Sequence, residues 1–379
     1  MRLRLSIVPA SPILLGCLCA PAALAAQTGS PPDSAVRAIL EQRVASGRSA
    51  GIVVGLLAAD GTARFFTAGE AGPGKRPLDR NSVFEIGSVT KVFTGTLLAD
   101  MSIAGDVALD DPVREHLPAG VTMPSRNGIE ITLAHLAAQT SALPRLPTNF
   151  RPANMADPYA DYTADRLYEF LSGYALTRDP GAQYEYSNVG VGLLGHVLSL
   201  VAGEPYGELV RQRILDPLGM AHTGIALTPW MRAHIVAGHN ALGDTVPLWD
   251  MGVLAGAGAL RSDAEDMLAF LGANVRPDPG RLGRAMMLAH APRAGAGSPA
   301  MAIGLAWHRL NLGGDTLVWH NGGTGGFRSF AGFRPSTGAA VVVLTNSGGQ
   351  GSDDIGFHLL NSAFPLEQPE RGDPGRIRE

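Results

Sequence analysis

The sequence predicts an α+β fold, an α/β sandwich in which an antiparallel sheet built from both chain ends is flanked by helices, with a mostly helical region inserted. Two observations predict it. Strand-like runs occur near the N-terminus and again in the last third of the chain, while the middle shows helical periodicity. The 379 residues are 45% apolar and 17% charged, as in globular proteins. We expect a cleft where sheet and helical region meet, a common location for functional sites.

The N-terminus resembles a targeting segment. Arg2 and Arg4 supply positive charge before a mostly apolar run, and Ala23-Leu24-Ala25 has the small residues typical of a cleavage site. We therefore predict a signal peptide over residues 1–25 and a periplasmic or secreted protein. A competing interpretation treats Leu14-Leu15-Gly16-Cys17 as a lipoprotein box, which would leave Cys17 as the site of a lipid anchor.

Composition excludes several classes for the mature chain. Cleavage would remove both cysteines, Cys17 and Cys19, so we expect no disulfide. It would also leave 28 basic against 34 acidic residues, a net charge of about −6. No basic stripe with interleaved aromatic residues suggests nucleic acid, and no later apolar run reaches the roughly 20 residues that cross a bilayer. We expect a monomer with no nucleic-acid partner and no membrane span.

The two chain ends supply the strands of the predicted sheet. Near the N-terminus, a helical stretch is followed by two strand-like runs, Gly51–Leu57 and Arg64–Ala68, which the Asp60-Gly61 turn joins into a hairpin. Further strand-like runs separated by glycine-rich or Pro-Ser-Thr-Gly turns lie near the C-terminus, before a helix at about residues 353–363. These runs are Thr316–His320, Phe327–Phe333 and Ala339–Thr345.

The middle of the chain has apolar residues at helical spacing in five stretches. They are Val89–Met101, Thr163–Leu171, Val189–Val201, Gly207–Leu215 and Ala264–Ala273. We predict that residues 26–379 form one domain. Its sheet subdomain would comprise about residues 30–85 and 300–365, and its helical subdomain about residues 86–299.

The first chemical motif is Ser88-Val89-Thr90-Lys91, at the start of an amphipathic run. An offset of three places Ser88 and Lys91 on one helix face. A serine at a helix start has free backbone N–H groups and the positive end of the helix dipole nearby, which suit a developing oxyanion. A lysine with a depressed pKa can take the hydroxyl proton. We predict Ser88 as nucleophile and Lys91 as its activator; alone, Ser88 would equally suit a helix N-cap.

Lysine is rare in this chain. Among the 30 basic residues only Lys75 and Lys91 are lysine, and the rest are arginine. Such a bias fits a coding preference, but arginine cannot give up its proton near neutral pH, whereas a desolvated lysine can act as a base. A lysine retained at Lys91 therefore supports a role in proton transfer.

The second motif is Tyr186-Ser187-Asn188, before another helical run. Tyr186 is predicted as a catalytic residue that shares proton transfer with Lys91, because a nearby cation favours the anionic form of a phenol. The Asn188 amide can hydrogen-bond both Lys91 and a substrate carbonyl. Taken singly, the two residues would also suit a packed tyrosine and a helix cap.

The third motif runs from Trp319 through His320-Asn321-Gly322-Gly323 to Arg328, between two strand-like runs. Glycines let a backbone approach a ligand closely. The Gly323 N–H is a candidate second oxyanion donor beside that of Ser88, and His320 and Arg328 are candidates to bind a substrate carboxylate. We predict substrate-binding residues at Asn188 and in this motif. In the motif they are His320, Asn321, Gly322, Gly323 and Arg328.

Together the three motifs resemble the penicillin-recognising active-site-serine hydrolases, particularly class C β-lactamases, with D-alanyl-D-alanine carboxypeptidases and esterases as relatives. The Tyr-Ser-Asn form at Tyr186 is similar to that of class C enzymes and carboxypeptidases. The resemblance covers nearly the whole mature chain and implies a β-lactamase/transpeptidase-like fold. It also implies acylation of Ser88 and hydrolysis by a water activated near Tyr186, without cofactor.

One residue departs from the class C pattern. Those enzymes usually carry Lys-Thr-Gly at the third motif, where this chain has His320-Asn321-Gly322. Histidine there resembles peptidase and esterase relatives, and it is less reliably cationic at neutral pH. We expect a β-lactam substrate first, with a D-amino-acid peptide or an ester as alternatives.

Other classes fit the sequence less well. There is no His-Glu-x-x-His spacing and no cysteine in the mature chain, so we expect no metal site. Ser88 follows Gly87 but lacks the second glycine of the Gly-x-Ser-x-Gly elbow of α/β-hydrolases. A non-catalytic penicillin-binding sensor remains an alternative, although all three motifs are chemically intact.

Overall fold

A computed structural model describes residues 31–349 and 351–367. The predicted signal peptide and the alternative lipoprotein box at Cys17 lie outside these residues. Within them the chain forms eleven α-helices. They are α1 Asp33–Ala45, α2 Thr90–Ala104, α3 Leu133–Ala137, α4 Ala164–Gly173, α5 Asn188–Ala202, α6 Tyr206–Val210, α7 Asp216–Leu218, α8 Pro229–His234, α9 Ala264–Val275, α10 Arg281–His290 and α11 Asp353–Leu360.

The described residues also form fourteen strands, several of them only two residues long. They are β1 Gly51–Leu57, β2 Ala63–Gly69, β3 Phe84–Glu85, β4 Ser125–Arg126, β5 Ile129–Glu130, β6 Gly238–His239, β7 Thr245–Val246, β8 Arg261–Ser262, β9 Ala294–Gly295, β10 Met301–Ile303, β11 His308–Asn311, β12 Thr316–Gly323, β13 Arg328–Arg334 and β14 Ala339–Thr345. A 3₁₀ turn, Gly87–Val89, leads directly into α2.

Strands from both chain ends form one antiparallel sheet of eight strands, in the order β2-β1-β14-β13-β12-β11-β10-β9. The N-terminal hairpin joins the C-terminal strands where β1 pairs with β14, with Ile52 opposite Thr345. In that hairpin the Asp60 carboxylate accepts a hydrogen bond from the Thr62 N–H, a local bond typical of such turns. The predicted fold class is therefore confirmed, whereas the subdomain boundaries stay a prediction.

The two faces of the sheet have different partners. Helices α1 and α11 cover one face, here called the back face, where Leu40 and Ile355 pack with Phe66 and Phe330 of the sheet. The other face, the front face, packs on α9 and joins a larger core that includes α2 and α5. Side chains alternate between the faces along each strand, so the register decides which residues can reach a site on the front face.

The start of helix α5 determines where the residues of the second motif lie. The Ser187 hydroxyl accepts a hydrogen bond from the Gly190 N–H at 2.8 Å, and this N-cap fixes the start of α5. The helix ends at Gly203, whose φ of 70° lies in the left-handed region that favours glycine. Tyr186 therefore lies just outside the helix and Asn188 in its first turn.

No single helix among the described residues is long and apolar enough to cross a membrane. One pair, Asn188–Ala202 with Tyr206–Leu218, meets the length and composition requirement only as two helices bent by 81° at their junction.

Candidate active site

Ser88 lies in the 3₁₀ turn before α2, where the chain is tightly packed. It is partly exposed, while its neighbours Gly87 and Val89 are buried. Backbone N–H groups in the first turn of a helix have no intrahelical acceptor, so the Ser88 N–H is suited to bind an anion. The hydroxyl is thus an accessible nucleophile on a rigid support.

Lys91 is completely buried at the base of this site. Its Nζ lies 2.9 Å from the Ser88 Oγ, 2.9 Å from the Asn188 Oδ1 and 2.6 Å from the Ala257 carbonyl oxygen. Burial, and secondarily the positive charge of Arg145, lower the pKa of Lys91 well below its ordinary value. Within the described residues no carboxylate forms an ion pair with this amine.

The three neighbours of Nζ can also be satisfied by an uncharged amine, the state that burial favours. The Asn188 Oδ1 and the Ala257 carbonyl oxygen can only accept hydrogen bonds, and a neutral amine has two N–H groups to donate to them. The third neighbour is the Ser88 hydroxyl, 2.9 Å from Nζ; an ammonium would donate to its oxygen, whereas the lone pair of an uncharged amine can accept the hydroxyl proton. The geometry therefore fits the predicted role of Lys91 as the group that activates Ser88.

Tyr186 lies beside this pair. The Lys91 Nζ is 5.0 Å from the centre of the Tyr186 ring, and the Ser88 side chain is near enough to the tyrosine hydroxyl to affect its pKa. Burial raises the pKa of Tyr186 to about 12 and outweighs the opposing effects of the nearby Ser88 hydroxyl and the Arg145 charge. The Arg145 charge favours the phenolate, as expected of a nearby cation, but desolvation of the anion is the larger effect, so the phenol form is the stable one.

His320 and Gly322 are on the front face of β12. The His320 side chain is completely buried, with ring contacts to His308 and Tyr186 at centre separations of 5.0 and 6.3 Å. Burial is the main reason that the pKa of His320 lies well below its ordinary value, and the neighbouring His308 and Lys91 side chains also disfavour a charge there. The imidazole is therefore neutral, as its identity at this position suggested.

The tautomer of His320 follows from its hydrogen bond. The Nδ1 atom lies 2.6 Å from the Asn321 carbonyl oxygen, which can only accept, so Nδ1 carries the proton. The Nε2 atom then holds a lone pair, and it is buried without a hydrogen-bond partner within the described residues. The third motif therefore offers an acceptor, not a cation, to this side of the site.

The glycines of β12 allow the strand to lie directly against Ser88. A Cβ on Gly322 would lie 3.0 Å from the Ser88 N and would collide with the Ile86 carbonyl oxygen. Likewise a Cβ on Gly87, whose φ is +49°, would lie 2.7 Å from the Gly323 N. The backbone amides of Ser88 and Gly323 are brought to one place by this close approach.

Two predicted binding residues point away from Ser88. The Asn321 side chain donates a hydrogen bond to Asp353 of α11, on the back face. Arg328 lies opposite Gly323 in the register, two residues before Phe330 of the back-face core, and its charge acts on Asp353. The prediction that these two side chains bind substrate is wrong, because strand alternation turns them to the other face of the sheet.

Sequence reasoning missed two residues of the site. The Arg145 guanidinium carbon lies 5.0 Å from the centre of the Tyr186 ring, and the Arg145 carbonyl accepts a hydrogen bond from the Asn188 N–H at 2.9 Å. The Tyr159 hydroxyl lies near the Asn188 side chain, which opposes the rise in the pKa of Tyr159 that burial causes. Both lie in the irregular segment between α3 and α4, which has no periodicity to indicate direction; the only local signal is an arginine between Pro144 and Pro147.

One other cluster has atoms close enough to hold a cation. Ligand atoms of His222, Asp263 and Asp266 lie within 4.8 Å of one another. Each carboxylate already accepts hydrogen bonds: Asp263 from the Asp266 N–H at the start of α9, and Asp266 from the His222 N–H and Thr223 hydroxyl. These bonds attach the preceding loop to α9, and we assign the cluster that structural role.

Comparison with known proteins is consistent with this arrangement. The chain matches the Beta-lactamase family over residues 36–362. It is 32% identical to the D-alanyl-D-alanine-carboxypeptidase/endopeptidase AmpH of Escherichia coli (strain K12), over 77% of this chain and 79% of that protein. It is 26% identical to a Beta-lactamase of Pseudomonas fluorescens, over 88% of this chain and 97% of that protein.

Solved structures show the same fold. A Beta-Lactamase/D-Alanine Carboxypeptidase from Pseudomonas syringae superposes with a TM-score of 0.75 at 20% identity, covering 88% of this chain and 99% of that one. A class C beta lactamase from Rhodobacter sphaeroides superposes with a TM-score of 0.72 at 23% identity, covering 83% and 94%.

Proposed function

The chain belongs to the Beta-lactamase family, and from that premise we propose that it is a serine hydrolase that forms an acyl-enzyme at Ser88. One observation carries the proposal. The buried Lys91 amine lies 2.9 Å from the Ser88 hydroxyl, without an acid partner among the described residues, and its pKa is lowered. An uncharged amine in contact with a serine hydroxyl is a general base in place for nucleophilic catalysis.

In the acylation step, the Ser88 Oγ attacks the substrate carbonyl carbon while its proton passes to the Lys91 amine. The carbonyl oxygen becomes an oxyanion, which the backbone N–H groups of Ser88 and Gly323 stabilise. The C–N bond then breaks, and the leaving nitrogen takes the hydroxyl proton of Tyr186, which in turn receives the proton held by Lys91. With a pKa of about 12, Tyr186 is protonated at neutral pH and can donate in this way.

Deacylation uses the same groups in the reverse direction. A water molecule attacks the acyl carbon and gives up a proton to Lys91 through the Tyr186 hydroxyl. The bond between the acyl carbon and the Ser88 Oγ breaks, and Oγ takes the proton back. The cycle therefore uses no cofactor and returns Ser88, Lys91 and Tyr186 to their starting protonation states.

We propose a β-lactam amide as the substrate, because the family match and a Beta-lactamase relative cover most of the chain. A specific observation favours a second candidate, a D-alanyl peptide or an ester. The third motif presents the neutral His320, and a carboxypeptidase/endopeptidase is among the relatives above 30% identity. Both candidate substrates would form an acyl-enzyme at Ser88. They differ in the bond that is cleaved and in the rate at which the acyl-enzyme is hydrolysed.

We also propose that the protein is exported, processed after Ala25 and active as a monomer in the periplasm or outside the cell. The charged start and apolar run of the N-terminus support export. Intact mass of the protein recovered from a periplasmic fraction tests this: a chain that begins at Ala26 is expected, whereas a lipid-modified N-terminal Cys17 would contradict soluble export.

Covalent labelling tests the proposed function. We expect fluorescent penicillin to label the mature protein and not its Ser88→Ala variant. Ser102→Ala is a matched control, because Ser102 is also on the α2 segment but far from the site in sequence. No labelling of the wild-type protein by penicillin or by a serine-reactive phosphonate, or labelling that survives Ser88→Ala, would contradict the proposal.

Turnover of three substrates separates the two candidates. Steady hydrolysis of nitrocefin is expected for a β-lactamase. One burst of nitrocefin hydrolysis without a steady state, together with sustained cleavage of a D-Ala-D-Ala peptide or a p-nitrophenyl ester, would replace the β-lactam assignment with the peptidase or esterase one.

A further inference from the structure

β-Lactams and D-alanyl peptides present a carboxylate close to the reacting amide, yet the third motif supplies no cation to bind it. His320 is buried and neutral, and Arg328 is on the back face of the sheet. Lys91 is also buried, and its amine is occupied by Ser88, Asn188 and Ala257. A carboxylate at this site needs a positive charge from another element.

Arg145 supplies a positive charge at the exposed side of the site. It is exposed, and its guanidinium carbon lies 5.0 Å from the centre of the Tyr186 ring, a distance typical of a cation–π contact. The Lys91 Nζ is also 5.0 Å from that ring centre. The Tyr186 ring therefore lies between the buried Lys91 amine and the Arg145 guanidinium, which is exposed to solvent.

The backbone holds Arg145 in place. Its carbonyl oxygen accepts the Asn188 N–H at 2.9 Å, and the preceding Pro144 carbonyl accepts the Ser187 hydroxyl at 2.7 Å. These bonds tie the segment to the start of α5, which carries Asn188 and follows Tyr186. The position of Arg145 relative to the nucleophile is thus set by the same motif that holds the catalytic residues.

The Arg145 guanidinium has no carboxylate or carbonyl partner within the part of the chain that the structure describes. Its charge nevertheless acts on the site, since it contributes to the lowered pKa of Lys91 and opposes the rise in the pKa of Tyr186 that burial causes. An accessible guanidinium presents several N–H donors in a plane and binds carboxylates through paired hydrogen bonds.

We propose that Arg145 is the residue that binds the substrate carboxylate, taking the place of a cation in the third motif. This inference rests on the proposed function. It makes Arg145 a specificity-determining residue, which favours substrates that carry a carboxylate over neutral esters. A bound carboxylate would also offset the Arg145 charge, so the Lys91 amine would become more basic as the substrate binds.

Paired substrates test the proposal. Nitrocefin carries a carboxylate and p-nitrophenyl acetate does not, and both acylate a serine. For Arg145→Ala we expect kcat/KM for nitrocefin to fall by about tenfold to a hundredfold, mainly through KM, as for loss of a charge-assisted hydrogen bond. A changed basicity of Lys91 would affect both substrates alike, so we expect the loss with nitrocefin to exceed any loss with p-nitrophenyl acetate by about tenfold or more. Arg145→Lys is expected to lie between wild type and Arg145→Ala with nitrocefin, because it keeps charge but not the planar donors.

Arg37→Ala is the matched control. Arg37 is an exposed arginine of α1, at the back face, and its guanidinium carbon lies 5.4 Å from the centre of the Phe66 ring. Its removal therefore lowers the net charge by one and deletes a cation–π contact, as Arg145→Ala does, but away from the site. We expect this variant to behave as wild type with both substrates. If slow deacylation prevents steady turnover, the second-order rate of labelling by fluorescent penicillin replaces kcat/KM.

The outcomes separate this inference from the proposed function. Suppose that the wild-type protein is labelled at Ser88, but that Arg145→Ala reduces activity equally toward both substrates or toward neither substrate. That result would overturn the role of Arg145 and leave the proposed function standing. The same holds if Arg37→Ala produces the same selective loss. Absence of Ser88 labelling in the wild-type protein would overturn the proposed function, and this inference with it.

Discussion

Helix α2 contains two buried ionisable groups whose surroundings differ. Asp100 is 1% exposed and accepts from two arginines, from Arg281 at 2.7 Å and from Arg213 at 3.2 Å. Lys91, nine residues earlier and fully buried, has a hydroxyl and two carbonyl oxygens around it but no acid. The surroundings of Asp100 stabilise its negative charge and join α2 to neighbouring elements. The surroundings of Lys91 disfavour its positive charge, so the amine is available as a base.

The largest expected effect is that of Lys91→Met on activity. The substitution keeps the length and packing of the side chain but removes the amine, so we expect Ser88 acylation to slow by about 10²–10⁴-fold. Stability should change little or rise, because a desolvated amine is replaced by an apolar group. Labelling kinetics and chemical denaturation measure the two effects. Near-wild-type acylation in Lys91→Met, or in Lys91→Arg, would contradict the role of Lys91 as base.

The same variant changes the pH dependence of stability. Between the lowered pKa of Lys91 in the folded protein and its ordinary value of 10.5, the unfolded chain binds a proton that the folded protein lacks. Unfolding free energy therefore rises with pH in this window, and we expect Lys91→Met to remove that part of the slope. An unchanged slope would show that Lys91 is charged in the folded state.

Asp100→Asn should have the converse effect. Two arginines would lose their shared carboxylate, although both are partly exposed and Arg213 keeps a second bond to Asp106. We expect the unfolding free energy to fall by about 2–3 kcal/mol while kcat/KM changes less than about threefold. Urea denaturation and nitrocefin kinetics measure the two quantities. A large loss of activity without a loss of stability would contradict the assignment of a structural role to Asp100 and a catalytic role to Lys91.

Tyr186→Phe should give a smaller effect on acylation than Lys91→Met. The variant keeps the ring against Lys91 and Arg145 and loses only the hydroxyl that lies near Ser88. Because Lys91 contacts Ser88 directly, we expect acylation to slow by about tenfold to a hundredfold, with slower deacylation as well. Pre-steady-state labelling and release of label measure the two steps. An effect larger than that of Lys91→Met would indicate that Tyr186 is the primary base.

The sequence predicted the parts of the molecule that repeat a period or a motif. The sheet strands, the main helices and the meeting of Ser88, Lys91 and Asn188 follow from such patterns. Side-chain alternation along β12 also shows why Asn321 does not bind substrate. If His320 is on the front face of the sheet, the next residue must point to the back face. That consequence is available from sequence once the strand is recognised to continue through Gly323.

Other features depend on distances that no local pattern encodes. Arg145 and Tyr159 reach the site from an irregular segment, through contacts with Tyr186 and Asn188 that are far away in sequence. The raised pKa of Tyr186 reflects burial, which the packing of several elements creates together. A motif can therefore identify which residues meet, but not the charge state that their shared environment imposes.

Direct titration of Lys91 tests the central claim, that its amine is uncharged beside Ser88. The chain has only two lysines, so ¹³C-lysine labelling gives two Cε signals, and Lys75→Arg assigns them. Lys75 is exposed and far from the site in sequence. We expect the Lys91 signal to titrate well below 10.5, with the rate of Ser88 acylation rising with pH through the same value. A Lys91 signal that titrates at 10.5 or above would contradict the proposed mechanism.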